Sequence, residues 1–426
     1  MNPTPLRPET FPERVLWFTI LGTYGLYYLG AQFVWVPLMA WGMTGYLIWR
    51  WWQESPQIPR QEQIRIPGPV WIWLIAVTGI ALALIIGHVN FDLGMGLTIK
   101  SLINRWGRQW ALFALFPLLG CLPIRPQIIY RAACILAFQS FILTCITFTV
   151  VFILKLEDIA FISPFSAFGG GEIFYEVKIF GSLYDTGSFR LELFAPWAPA
   201  LGLAGNIYFW LAWQESDRRW RWLGLLGATI MILSSVSRLG MVTLPLVAIL
   251  IFLLKHLHRP FLLMGLGSAS FLGGLFSHQI LTAFARFRDS MIQARAGSSK
   301  TRFMLQQLAL NRWWNEARIW GHGTIEPTGP KSVGFMPIGT HHQWLGTLYS
   351  HGAVGCGLLA LAFLSSLVAL LPRLWDSALA QTAVAIWLVL FCFSWGENLE
   401  SLAYIFWPGL VIMGLAYCQI SAESRA

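Results

Sequence analysis

Charge is scarce in this sequence. Asp, Glu, Lys and Arg make up 12% of its 426 residues, about half the share usual in a soluble domain. A surface of that composition is not a water-facing one. Acidic residues are the scarcer kind, 20 against 29 Lys and Arg, for a formal net charge of +9. No nucleic-acid-binding motif accompanies the excess, so nucleic acid is not an expected partner. The six cysteines, Cys121, Cys134, Cys145, Cys356, Cys392 and Cys418, lie in or beside apolar runs and none falls in a long polar loop. That placement argues against disulfides and against a cysteine metal site. The opening stretch MNPTPLRPETFPERVLWF lacks a short apolar core followed by a small-residue cleavage site. The first helix is therefore expected to act as an uncleaved anchor. There is no repeat at fixed period and no linker that divides the chain, which leaves a single integral membrane domain over 1–426.

What the sequence has in abundance is apolar length. Hydrophobic residues make up 56%, aromatic residues 15%, and there are 23 Trp. Long apolar runs recur throughout, and Trp suits the membrane–water boundary. The fold class this implies is an all-α polytopic membrane protein of about twelve transmembrane helices. The runs are 14–29, 32–50, 69–88, 107–124, 128–154, 194–213, 220–236, 239–254, 260–277, 342–371, 377–395 and 399–418. Those flanking Arg238 are short, which leaves room for a broken or re-entrant pair.

With both termini in the cytoplasm, every short inside loop carries a basic residue: Arg7 and Arg14; Arg50, Arg60 and Arg65; Arg125 and Arg131; Arg218, Arg219 and Arg221; Lys255 and Arg259; Arg373; Arg425. The inverted orientation would leave several inside loops with none, so the positive-inside rule favours the first. Two long loops, 156–193 and 278–340, then face outward, the second between the ninth and tenth spans. Loops of that length are usually functional. The second is unexpectedly basic, with Arg286, Arg288, Arg295, Lys300, Arg302, Arg312, Arg318 and Lys331. Arg190 ends the first. Arg238 lies between two apolar runs on the same face, where a guanidinium is costly unless something pairs with it. TIKSLINRWGRQW reads as an interfacial amphipathic helix. SSKTRFMLQQLALNRWWNEARIW reads as a helix capped by Ser298 or Ser299, with Phe303, Leu308 and Trp313 or Trp314 against the membrane surface.

The adjacent histidines His341 and His342 sit where this loop meets the tenth run. A zinc site needs three or four suitably spaced ligands. Neighbouring residues on a helix point about 100° apart, HExxH is absent, and His278 and His322 are the nearest further candidates. No metal is therefore expected. A general base fits better. Imidazole accepts a proton near neutral pH, and a basic surround keeps it neutral. The same arginines would hold a phosphate or pyrophosphate leaving group. An outward base beside arginines at lipid depth points to transfer from a lipid-linked phosphate donor.

The order GHGT…PIGTHHQWLGTLYSHGAVGCGLLAL resembles the signature of the O-antigen ligase and polymerase superfamily. There an outer-loop GxG precedes a His-Asn/Ser/Gln dipeptide, and a Gly-x-x-Gly follows in the next helix. Nine residues, Gln343 to His351, separate the dipeptide 341–342 from Gly352. That spacing matches His341 to the family histidine, His342 to the polar second position, and Gly352 and Gly355 to the glycine pair. FRLELFAPWAPALGLA resembles the family stretch carrying Arg190, SSVSRLGMVTLP the one carrying Arg238, and SSKTRFMLQQLAL the one carrying Arg302. WGENLE, with Glu397 and Glu400, falls where relatives carry an acidic residue.

The resemblance implies a metal-independent, cofactor-free, inverting membrane glycosyltransferase of GT-C architecture in the plasma membrane. It implies a glycan donor on undecaprenyl diphosphate and, as acceptor, a glycan or a lipid A-core-like molecule. His341 would serve as base. Arg190, Arg238 and Arg288, with Arg286, Arg295 or Arg302 as substitutes, would hold the diphosphate. A ligase, a polymerase and a protein-glycosylating relative all fit the motif, with ligase slightly favoured. From another class, a polysaccharide or lipid flippase would predict mid-membrane ionisable residues on both halves and inverted repeats, and neither is evident.

Overall fold

The computed structural model describes residues 6–54, 63–156, 159–180, 182–185, 188–293, 296–326 and 328–423. Side chains are described within these except at 182–185, 188, 287–288, 290–293 and 296–299. The chain is mainly helical among the described residues, with two short ribbons and two long irregular loops. Its α-helices are α1 (Phe11–Leu21), α2 (Thr23–Tyr28), α3 (Gln32–Trp52), α4 (Gly68–Asn90), α5 (Met95–Ser101), α6 (Leu112–Leu119), α7 (Pro126–Phe148), α8 (Ala198–Trp213), α9 (Arg218–Ser234), α10 (Arg238–His256), α11 (Pro260–Leu275), α12 (Ser277–Gln293), α13 (Ala296–Glu316), α14 (Gln343–Leu370), α15 (Ala378–Phe393) and α16 (Ala403–Glu423). The core is continuous and centres on α16, whose 403–417 face is almost entirely buried against α6, α8 and α15.

Each apolar run of the sequence lies on a helix or a helix pair, yet twelve full-length spans are not shown. Among the described residues, five helical stretches are long and apolar enough to cross a membrane: Gly68–Asn90, Pro126–Ile153, Arg238–His256, Gln343–Arg373 and Leu399–Glu423. A sixth is reached if α11 and the start of α12, bent by 80°, count as one span. This is a multi-pass membrane protein. Several of the remaining runs fall short for visible reasons. The first is broken at Gly22 into α1 and α2. The fourth keeps only eight α-helical residues, preceded by a π-helical segment, Leu102–Trp110. α8, α11 and α15 have 16 residues each, a length of about 24 Å against a hydrocarbon core of about 30 Å.

The basic helix expected near 98–110 is α5 continuing into that π segment, and its arginines stitch the two long loops together. Arg105 donates to the Ile325 carbonyl at 3.2 Å, and Arg108 to the Gly169 carbonyl at 3.0 Å and the Tyr175 hydroxyl at 3.1 Å. The first loop holds antiparallel pairs β1 (Ala160–Ile162) with β2 (Glu176–Lys178), and β3 (Ser182–Asp185) with β4 (Ser188–Leu191). In the second loop, α13 runs straight through Ser298 and Ser299 rather than starting at them. Its inward face is Leu305 and Ala309, packed with Val333, Ile338 and Tyr349. Phe303 and Trp314, expected against the membrane surface, are exposed.

α14 is not one regular helix. Gly352 takes φ 65° and ψ −167°, a region open essentially to glycine alone. The break frees backbone groups, and the loop segment 318–323 fills the opening. His322 N–H and Gly323 N–H donate to the Tyr349 and Ser350 carbonyls at 2.9 and 2.8 Å. Ala353 N–H and Val354 N–H donate to the Arg318 and Ile319 carbonyls at 2.9 and 3.1 Å. Gly321 must be small here, because a Cβ would lie 2.4 Å from the Gly352 nitrogen. The GHG and the distant glycine thus form one joint. Gly355 sits one turn on, where a Cβ would meet the His351 Cβ at 2.3 Å.

Candidate functional site

The histidine pair is held by a clamp of backbone contacts. Gln343 N–H donates to the Ser394 carbonyl at 2.9 Å, and the Gln343 side-chain oxygen accepts from Leu399 N–H at 2.6 Å. Asn398 Nδ2 donates to the Gly339 carbonyl at 3.2 Å, and Trp344 Nε1 to Ser394 Oγ at 2.9 Å. The segment 337–343 is therefore fixed against the α15–α16 connection, and this places WGENLE beside the histidines.

The two histidines play different parts. His342 is extended and is the N-cap of α14: its Nδ1 accepts from Leu345 N–H at 3.3 Å. Its ring stands edge-on to Trp395, centroids 5.5 Å apart. With Nδ1 accepting, the neutral ring carries its proton on Nε2 and has no lone pair left for a base. His341 takes the left-handed backbone, φ 63°, a region where His is among the tolerated residues. Among the described residues its ring nitrogens have no hydrogen-bond partner. Burial, and then the charge of Arg302, lowers its imidazole from the ordinary value to about 4. His341 is thus held neutral with both nitrogens available.

Arg302, on α13, brings positive charge to this ring and faces the buried carboxylate of Glu397 at 3.9 Å. Glu397 is 2% exposed and accepts from Trp197 Nε1, on the residue that caps α8, at 2.9 Å. Burial raises its carboxyl to about 7, against the opposing effects of Arg302 and the Trp197 bond. Next to it, Gly396 abuts α10: a Cβ there would lie 3.0 Å from Leu239 Cδ2. Leu239 follows Arg238, the first residue of α10, which Ser237 caps through Gly240 N–H at 3.2 Å. Arg190, buried on β4, donates to the Val236 carbonyl at 3.3 Å, two residues before Arg238.

Four of the residues expected from sequence, His341, Arg302, Arg238 and Arg190, therefore lie along one connected row running from the α14 mouth to the α9–α10 turn. Arg286 does not join it. It is exposed on α12, which packs chiefly on its neighbours α11 and α13. Arg288 is on α12 with its side chain outside the described residues, and Arg295 lies outside them altogether. Gly352 and Gly355 act on the site through the α14 joint.

His322, considered as a distal metal ligand, is engaged elsewhere. Its Nε2 lies 2.9 Å from Glu316 and its Nδ1 2.9 Å from the Tyr349 carbonyl. Arg312 pairs with Glu316 at 3.0 Å and with Glu326. Among the described residues no three His, Cys, Asp or Glu gather as metal ligands.

Sequence reading missed Trp197, Gln343 and Asn398. Trp197 holds the buried carboxylate, and the other two clamp the histidine segment. The usable signal was two acids, a Trp and an Asn within 395–400 of an acid-poor chain. It also missed the ion pair of Lys178 with the buried Glu192, 2.5 Å apart.

Glu397 gives a pH test. Its folded value is raised, so its share of stability is complete below the unfolded value near 4.3 and is lost as pH rises through 7. Glu397→Gln should flatten that fall. Comparing melting between pH 5 and 8, the variant should gain on the order of 1–3 kcal/mol over the parent at the alkaline end. Parallel curves would show that the carboxyl is ionised throughout.

No protein-family model matches the chain, and no curated protein matches its sequence.

Proposed function

We propose that this chain is a membrane glycosyltransferase. It moves a glycan from a polyprenyl diphosphate, of the undecaprenyl type, to an acceptor hydroxyl on the outer side of the plasma membrane, as an O-antigen ligase does. The observation that carries the reading is that Arg302, held 3.9 Å from the buried Glu397 carboxylate, brings its charge to His341, whose ring nitrogens have no hydrogen-bond partner among the described residues. A base and an anion-binding group then act within one site. His341 takes the proton of the acceptor hydroxyl as its oxygen attacks the anomeric carbon from the face opposite the diphosphate. The anomeric C–O bond breaks, configuration inverts, and the electron pair leaves on the diphosphate. Arg302, with Arg238 and Arg190, stabilises that developing charge. Arg238 adds to this from the first turn of α10, where the helix dipole already favours an anion.

This reading keeps GT-C architecture, with about twelve membrane passages in which helices of 16 residues cross where the bilayer thins locally beside longer ones. Both termini are cytoplasmic, the row from His341 to Arg190 opens outward, and the bilayer holds the polyprenyl tail. The acceptor is a glycan or a lipid A-core-like molecule.

Arg302→Ala should raise the KM for the lipid donor about tenfold to a hundredfold, the worth of one charge-assisted phosphate contact. The KM for acceptor should hardly move. Initial rates at varied donor and acceptor check this, and an unchanged donor KM would remove Arg302 from the diphosphate site. Deleting the gene separates the reaction types. Accumulated full-length lipid-linked polymer indicates a ligase, accumulated single repeats a polymerase, and an unchanged glycan profile contradicts both.

A further inference from the structure

Two thiols that the proposed reaction does not use lie close together at the end of the molecule remote from His341. Cys121 follows α6, and Cys418 is in the last turns of α16. They meet because the two helices touch backbone to backbone. A Cβ on Gly120 would lie 2.4 Å from the Gly414 carbonyl carbon, and a Cβ on Gly414 would lie 2.1 Å from the Pro117 carbonyl oxygen. The Cys418 thiol is directed at the Cys121 sulfur, Sγ to Sγ 3.2 Å. Both residues are half-buried.

We propose that Cys121 and Cys418 are an oxidation-sensitive pair that a peroxide converts into a disulfide. One thiolate attacks a peroxide oxygen. The O–O bond breaks, a sulfenic acid forms, and one water leaves. The second thiol then attacks the sulfenic sulfur. The S–O bond breaks, the S–S bond forms, and a second water leaves. Two thiols and one peroxide give one disulfide and two waters, with the sulfurs losing the two electrons the peroxide gains. The sulfurs need only close to about 2.05 Å, a small movement for neighbours already in contact. Cysteines beside apolar runs had argued against disulfides. It is the crossing of α6 and α16 that brings these two together, across 297 residues of chain.

The pair is expected to rest reduced and to react slowly. Only the thiolate is nucleophilic, and a half-buried thiol in an apolar run favours its neutral form. Oxidation therefore speeds as pH rises. The new bond would tie together two elements whose other ends reach the candidate site: α6 continues from the π segment carrying Arg105, and α16 follows Glu397 and Glu400.

The test uses the full chain in lipid nanodiscs. It is treated with hydrogen peroxide at pH 7 and pH 8.5, blocked with N-ethylmaleimide, digested and read by mass spectrometry, beside Cys121→Ser and Cys418→Ser. The expected result is a Cys121–Cys418 cross-linked peptide, formed faster at pH 8.5 and removed by dithiothreitol. Each single variant should leave the surviving cysteine free to react with maleimide. Oxidation of the exposed Cys145 while Cys121 and Cys418 stay separately alkylated would overturn the proposal. So would conversion of either to sulfinic acid without a cross-link.

Discussion

Replacing His341 with Asn should abolish glycan transfer and leave the protein folded in the membrane. The choice of substitute follows from the backbone. His341 sits at φ 63°, and a left-handed residue without a compensating side chain costs about 1–2 kcal/mol. Alanine would mix that strain with loss of the ring, whereas Asn tolerates the conformation. Loss of a positioned base typically lowers turnover about 10²–10⁴-fold. His342→Asn should do far less to the chemistry, because that ring caps α14 and Asn is itself a good cap. The pH profile carries a second signature. An ordinary histidine would lose its base form as pH falls through about 6.5. His341, lowered to about 4 by burial and Arg302, stays neutral well below that. The acid limb of kcat/KM should therefore fall near pH 4, and kcat/KM should hold between pH 7 and 5.5. A limb at 6.5 would place the titrating group elsewhere. Stability runs in the same direction. A lowered histidine contributes fully above the unfolded value, and that contribution is lost as pH falls towards 4.

Gly352→Ala should destabilise the protein by more than about 3 kcal/mol, through backbone strain and a clash acting together. The residue holds φ 65° and ψ −167°. A Cβ there would stand 2.2 Å from the Ile319 carbonyl oxygen and 2.5 Å from the Gly321 nitrogen. Neither neighbour is the end of a flexible side chain, so the clash cannot be relieved locally. The helix would straighten or the 318–323 segment would leave. In the second case four backbone hydrogen bonds are lost together and His322 loses the Tyr349 carbonyl. The observable is a large drop in melting temperature with early proteolysis between Arg318 and Thr324. Gly357→Ala on the same helix is the control, since a Cβ there meets nothing within 4 Å. Equal melting of the two variants would show that the joint does not hold the loop.

The spacing that singled out His341 in the sequence has a physical basis in this joint. The interval from the dipeptide to Gly352 fixes how far the α14 mouth stands from the point where GHG docks. Composition made the helices legible, since runs such as 69–88 are apolar on every face and can only be buried or lie in lipid. Helix breaks were not legible. A glycine in an apolar run reads the same whether it is helical, as Gly357 is, or kinked, as Gly352 is, because the neighbours that demand the kink, Ile319 and Gly321, lie far back in the sequence. Twelve full-length spans are not shown for this reason, with breaks at Gly22 and at the π segment before α6. The candidate residues stood out in the sequence where residue types are rare, as with His341 and Glu397. They did not where a common residue does the holding, as with Gln343, Asn398 and Trp197. Arg286 looked equivalent to Arg302 by charge alone, and only the packing of α13 on α14, with α12 outside it, separates them.

The most direct test of the account is a transfer assay with the purified chain in a bilayer. A glycan on undecaprenyl diphosphate and a glycan acceptor would be supplied with EDTA present, and undecaprenyl diphosphate release measured. The account predicts release matched one for one by elongated acceptor with the parent chain, and neither with His341→Asn. Equal turnover by the two proteins, or turnover that disappears with EDTA and returns with added metal, would contradict it.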